Sequence, residues 1–163
     1  MILIALGANL PSAKGGPPDT LRAALVSLGA RGITVERQSG FYESEAWPDP
    51  TDPPFINAVA SVRTALPPLE LLRVLKEIEA GFGRKDAPRN APRPIDLDII
   101  DYNGLVMRGD VLELPHPRME SRAFVVVPMA EVAPGWRHPL SGRTIEELRA
   151  ALAPAKVTPL KSL

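Results

Sequence analysis

From residue 2 to residue 6 the chain is uninterruptedly apolar, Ile2-Leu3-Ile4-Ala5-Leu6, and Gly7 closes the run. A short apolar stretch of this kind predicts a buried strand. Leu21, Ala24, Leu25 and Leu28 follow at helical spacing, with Asp19 or Thr20 as the expected cap and Gly29 near the end. Residues 32–42 set Ile33, Val35 and Arg37 against polar neighbours and predict a second strand. A loop at 43–54, rich in proline and acidic residues, leads to a third strand over 55–64. There Ile56, Ala58, Ala60 and Val62 point one way, and Phe55, Asn57, Val59 and Ser61 the other.

Pro67-Pro68 opens a helix with Leu71, Leu72, Leu75, Ile78 and Phe82 on its inner face. A loop at 83–94 precedes a strand over 95–100, a turn at Asn103-Gly104 and a short strand at 105–107. The last helix spans 144–152, where Thr144 and Glu147 have the spacing of a capping box. The order is β-α-β-β-α-β with additions. It predicts an α+β ferredoxin-like sandwich, an antiparallel sheet with helices packed on one face, forming a single domain over residues 1–163. That fold hosts many functions and does not choose among them.

Bulk properties narrow the choice. The chain has 163 residues, 45% hydrophobic and 23% charged, which is ordinary for one globular domain. It contains no cysteine, so disulfides and thiolate metal sites are excluded. With no long apolar span and no basic leader at Met1, the expectation is a soluble cytoplasmic protein away from membranes. Nineteen basic and nineteen acidic residues cancel, which argues against nucleic acid as a partner. No feature marks a self-association surface, so a monomer is expected.

The charges are unevenly placed. Arg84, Lys85, Arg89 and Arg93 crowd the loop just before Asp96, Asp98 and Asp101. Side chains two apart on a strand share a face, so Asp96 and Asp98 project together, about 7 Å apart. Two like charges at that distance repel unless a cation lies between them. Carboxylate oxygens suit Mg²⁺, which completes its shell with phosphate and water, and a two-metal cluster is geometrically possible. The basic loop could neutralise a polyphosphate beside the metal. The plainer alternatives are a solvent-facing strand edge and an ordinary solvated loop.

Two further patterns stand out. Pro115-His116-Pro117-Arg118, followed by Arg122 and Phe124, fixes a histidine between prolines, either to meet a phosphate or to fill a structural role. His138 lacks such a context and reads as structural. Phe55 and Asn57 lie on the strand face opposite the apolar set, an arrangement able to stack a flat heterocycle and pair with its edge. The competing reading is a second small core, and Trp47 carries the same ambiguity. There is no P-loop, dinucleotide fingerprint, nucleophile elbow or His-Glu-x-x-His. Any nucleotide chemistry would have to run without the usual phosphate cradle.

In order along the chain come Gly7-Ala8-Asn9-Leu10, Phe41-Tyr42-Glu43-Ser44, Phe55-Ile56-Asn57-Ala58, Ile78-Glu79 with Gly83-Arg84, and Pro92-Arg93-Pro94-Ile95-Asp96-Leu97-Asp98-Ile99. Pro115-His116-Pro117-Arg118 and Arg122-x-Phe124 follow, and Glu131-Val132-Ala133-Pro134 extends the set. Together these segments resemble the 6-hydroxymethyl-7,8-dihydropterin pyrophosphokinase family. The resemblance implies ATP and a pterin alcohol as substrates, two Mg²⁺ ions, and pyrophosphate transfer with release of AMP in folate biosynthesis. It implies that Asp96 and Asp98 ligate the metals. Arg93, His116 and Arg122 would contact the ATP phosphates, with Arg84, Lys85 and Arg89 closing from the loop. It places Ile99 at the adenine and Glu79 near the nucleotide. Phe55 and Phe124 would sandwich the pterin, with Asn57, Ser44 and Trp47 around it. Asn90 stands where the family often carries tryptophan. Two other readings compete: a different Mg²⁺-dependent phosphotransferase on a heterocyclic alcohol, and a non-catalytic ferredoxin-like binding module. An aromatic content of only 5% disfavours the second.

Overall fold

A computed structural model describes residues 1–46, 49–83, 94–153 and 156–160. Five strands carry the site or its frame: β1 (Ile2–Ala8), β2 (Thr34–Gln38), β3 (Tyr42–Ser44), β4 (Phe55–Arg63) and β5 (Asp96–Tyr102). β1 lies between β4 and β5, and β2 and β3 follow one another along the far edge of β4, all antiparallel. The predicted α+β ferredoxin-like arrangement is therefore present. Later in the chain, β6 (Met107–Arg108) and β7 (Glu113–Leu114) form a separate hairpin, and β8 (Val157–Pro159) adds to β3.

Helices α1 (Pro17–Ala30) and α2 (Pro68–Gly81) pack on one face of the sheet. Their Leu21, Ala24, Leu28, Leu71 and Leu75 meet Ile4 and Leu6 of β1, Ala58 and Ala60 of β4, and Leu97 and Ile99 of β5. The expectation of helices on a single face is corrected by α3 (Ala123–Val132) and α4 (Ile145–Ala151), which cover part of the other face. Leu3, Val59 and Ile100 lie in that second core with Val125, Val126, Met129, Ile145 and Leu148. The two layers bury the middle of β4 on both its faces, Ala58 and Ala60 in the first core and Val59 in the second.

Other boundaries move for local reasons. α1 begins at Pro17, capped by Gly16 rather than by Asp19 or Thr20, because Pro17-Pro18 already hold the φ of a first turn. The strand expected over 32–42 is broken into β2 and β3. At the break the Ser39 hydroxyl takes the Val59 N–H, 3.0 Å, that an unbroken strand would have received. The turn at 103–104 forms with positive φ at both residues, 54° and 75°, but the strand after it starts at Met107. At α4 the capping box between Thr144 and Glu147 is present in both directions. Among the described residues no helix is long and apolar enough to cross a membrane.

Candidate active site

α3 and α4 cover only one end of their sheet face. Along β1 the side-chain positions on that face are Leu3, Ala5 and Gly7. Along β4 they are Ser61, Val59, Asn57 and Phe55. Leu3 and Val59 pack in the second core, whereas Gly7, Asn57 and Phe55 fall further along the face, outside that apolar cluster, with Gly7 and Asn57 buried and Phe55 half-buried. On β5, Asp98 stands opposite Ala5 and Asp96 opposite Gly7, so both carboxylates fall at the uncovered end. In register across four strands run Tyr42, Asn57, Gly7 and Asp96. With strands about 4.8 Å apart, Asn57 and Asp96 stand about 10 Å from each other across the glycine.

A bulge decides where the carboxylates end. Between Leu3 and Ile4 the β1–β5 register slips by one residue on the β5 side. Asp96, Asp98 and Ile100 share a face, and after the slip Asp101 turns to that side as well. Asp101 is buried and accepts from the Trp136 indole N–H, 3.1 Å, and from the Gly104 N–H, 3.2 Å. It is a structural group, separate from the partly exposed Asp96 and Asp98.

Glu79 is buried on α2, on the opposite side of the sheet, and its Oε2 accepts the Leu97 N–H at 2.7 Å. Leu97 separates the two aspartates, and β5 is the edge strand, so Glu79 fills an edge N–H between them. The Ile99 side chain also points into that opposite core, which leaves its backbone as the part able to meet a ligand.

On the other flank, Asn57 is buried and its Nδ2 donates to Ser44 Oγ at 2.7 Å. A Cβ at Gly7 would lie 3.2 Å from Asn57 Oδ1 and 3.8 Å from the Phe55 ring. A glycine within a strand, facing a polar residue of its neighbour, marks such a close approach. That signal was available in the sequence, although no role had been assigned to Gly7. Phe124 enters from the first turn of α3, packed against the second core. The Arg122 guanidinium lies over the Phe124 ring, 5.5 Å from its centroid.

His116 is fixed by its backbone N–H to the Ile100 carbonyl, 2.9 Å, just past the aspartates. Its Nδ1 accepts the Arg118 N–H at 3.2 Å, which selects the tautomer with a proton on Nε2, a donor suited to phosphate oxygen. His138 is buried, with Nδ1 accepting from Leu140 and Ser141 and Nε2 3.1 Å from Glu120, a structural set of partners.

Tyr42 and Glu131 complete the frame, neither having been assigned a role from sequence. The Tyr42 hydroxyl donates to Glu131 at 2.6 Å, and the Gly40 N–H donates to the same carboxylate at 3.1 Å. Burial and this carboxylate push the phenol up to about 12, against a smaller opposing effect of Arg149. A cleft of about 420 Å³ opens outside β3, between the 50–54 segment and β8, with Ser44 in its wall. It lies at the rim of the site and not over Asp96 and Asp98.

Trp47, Arg84, Lys85, Arg89 and Arg93, together with Asn90, lie outside the described residues. Among the described residues no group of three or more His, Cys, Asp or Glu side chains is arranged to hold a metal ion. The Asp96–Asp98 pair fits an ion that takes few protein ligands and completes its shell with phosphate and water, as Mg²⁺ does.

Comparison with known proteins follows the same geography. A 2-amino-4-hydroxy-6-hydroxymethyldihydropteridine pyrophosphokinase of Synechocystis is 42% identical over 147 residues, covering 90% of this chain and 73% of that one. The protein of the same name from Methylorubrum extorquens is 37% identical over 155 residues, 94% of each chain. A crystal structure of an HPPK-DHPS protein in complex with substrates superposes with a TM-score of 0.71 over 92% of this chain, at 14% identity, which speaks for the fold. The present chain spans 42% of that protein's length. The profile of the 7,8-dihydro-6-hydroxymethylpterin-pyrophosphokinase (HPPK) family matches residues 3–134, a stretch that contains every side chain of the site just described, and the chain belongs to that family.

Proposed function

We propose that this chain is an ATP-dependent pyrophosphokinase that transfers the pyrophosphoryl group of MgATP to the hydroxymethyl oxygen of 6-hydroxymethyl-7,8-dihydropterin, releasing AMP, in folate biosynthesis. The observation that carries the reading is the divided sheet face, which leaves Asp96 and Asp98 partly exposed at the same end of that face as the buried Asn57 and the half-buried Phe55. Family membership supports the reaction, and the placement of Asp96, Asp98, Asn57 and Phe55 on one sheet face supports the assignment of residues to each reactant.

Asp96 and Asp98 hold Mg²⁺, two ions in this reading, and the metal neutralises charge on the phosphate oxygens. His116 Nε2 and the Arg122 guanidinium donate to the polyphosphate, as do Arg84, Lys85, Arg89 and Arg93 from the preceding loop. Ile99 meets the adenine through its backbone on the open edge of β5. Glu79 acts behind the strand, holding the segment that carries both aspartates. The pterin ring stacks between Phe55 and Phe124, its polar edge on Asn57, with Ser44 and Trp47 at the border.

In the transfer, the hydroxymethyl oxygen bonds to the β-phosphorus and the bond from that phosphorus to the α,β-bridging oxygen breaks. AMP leaves with the bridging oxygen, and the hydroxyl proton is released. Such a reaction asks for alignment and charge neutralisation more than for a covalent intermediate. In this reading the chain works as a cytoplasmic monomer on two small molecules.

The test is an assay with MgATP and the pterin alcohol that separates AMP from ADP, with and without chelator, on the native chain and on Asp98→Ala. The expected result is pterin-dependent AMP that disappears with chelator and in the folded variant. Near-normal turnover by Asp98→Ala would remove the metal assignment, and ADP in place of AMP would make the protein a different phosphotransferase.

A further inference from the structure

The two walls of the proposed pterin subsite belong to different layers of the molecule. One wall is the sheet, with Phe55 and Asn57 on β4 and Ser44 on β3. The other is Phe124, at the start of α3. Ser44 holds the Asn57 carboxamide, so the placement of Asn57 depends on where β3 lies. β3 is short, three residues, and is separated from β2 by the break at residues 39–41. β4 and β8 flank it within the sheet, and its distance from α3 is set by contacts between the layers.

Glu131, two turns along α3 from Phe124, reaches that strand. Its carboxylate takes the Tyr42 hydroxyl at 2.6 Å and the Gly40 N–H at 3.1 and 3.3 Å. Gly40 lies in the break itself, and Tyr42 stands directly opposite Asn57 in the β3–β4 register. One carboxylate thus ties the helix both to the break and to the strand that follows it. The Tyr42 bond is short, as O–H donation to a carboxylate is, and the Gly40 contacts are longer.

We propose that Glu131, acting through Tyr42 and Gly40, is a positioning residue that sets the spacing between the Phe124 wall and the Asn57–Ser44 wall. It thereby governs affinity for the pterin alcohol without contacting it. The inference rests on the pterin reading of the site. It separates the two substrates: the MgATP contacts on β5 and at His116 do not pass through β3 or α3, and Arg122 at the start of α3 is one phosphate contact among several, so a looser clamp weakens the pterin far more than the nucleotide.

Glu131→Ala, Tyr42→Phe and Glu131→Gln test it through steady-state constants for both substrates, alongside thermal unfolding. Loss of a charged hydrogen bond from the clamp is expected to raise the pterin KM about tenfold in Glu131→Ala and Tyr42→Phe, with the MgATP KM within about twofold. Glu131→Gln keeps an acceptor and is expected to recover most of the loss. Equal rises in both KM values, or a lowered unfolding temperature with an unchanged pterin KM, would overturn the proposal and leave Glu131 a structural residue. Tyr42→Phe decides the matter if Glu131→Ala does not fold. A native chain that neither binds the pterin nor forms pterin-dependent AMP is the separate outcome in which the functional reading fails and takes this inference with it.

Discussion

Gly7 and Asn57 face each other across β1 and β4, and the smallest residue is there because the neighbouring carboxamide needs the room. A methyl group at Gly7 would come within 3.2 Å of Asn57 Oδ1, close enough to move the amide by a few tenths of an ångström. The backbone at Gly7 is ordinary extended strand, so Gly7→Ala puts its whole effect on that contact. The expected result is a pterin KM raised about fivefold with a thermal midpoint changed by less than about 3 °C, since small misplacements in a positioned site are costly while the core is untouched. An unchanged pterin KM would separate Asn57 from substrate binding. At this scale the period-2 pattern of 55–64 was enough to put Phe55 and Asn57 on the face away from the apolar set. It said nothing of Ser44 as the partner of Asn57, because that bond joins residues 13 apart across two strands.

β5 shows how an element converts a simple pattern into a site. Alternation alone puts Asp96 and Asp98 on one face, and the sequence is legible to that point. The bulge opposite Leu3 and Ile4 then turns Asp101 toward the second core, so three closely spaced aspartates divide into a partly exposed pair and a buried structural one. Glu79 holds the strand at Leu97 from behind. Glu79→Ala removes the acceptor of that edge N–H and is expected to lower stability by about 1–3 kcal/mol, read by urea unfolding, with a raised MgATP KM. Glu79→Gln, which retains an acceptor, is expected to fall between; an MgATP KM unaltered in both variants would limit Glu79 to a purely structural role. α3 was not legible. Its Phe-Val-Val-Val-Pro-Met run has β-branched residues and an internal Pro128, which removes the N–H that the Phe124 carbonyl would take in a regular helix. It also lacks a polar face, because the sheet covers one side and α4 another, so no helical period remains to be read.

For the whole molecule, the second helical layer is what makes a site of the sheet. α4 holds α3 down through Leu148, which is fully buried, and α3 carries both Phe124 and Glu131. Leu148→Ala is expected to cost about 2–5 kcal/mol by urea unfolding. At low temperature it should leave the kcat of the folded fraction close to native, since Leu148 lies under the covered end and away from Asp96 and Asp98. A large fall in kcat with little loss of stability would contradict that division. The sequence by itself determined the strands and helices whose residues alternate between an apolar and a polar environment, the pairing of Asp96 with Asp98, and the family to which the ordered motifs belong. These depend on local periodicity and on residue identity, which are properties of the chain as a string. Only the tertiary structure decided which part of the sheet face the second helical layer covers, which aspartate turns into the second core at the bulge, and that Glu79 meets Leu97 while Glu131 meets Tyr42 and Gly40. Each of these depends on contacts between residues distant in the chain, and packing selects such contacts after the local elements have formed.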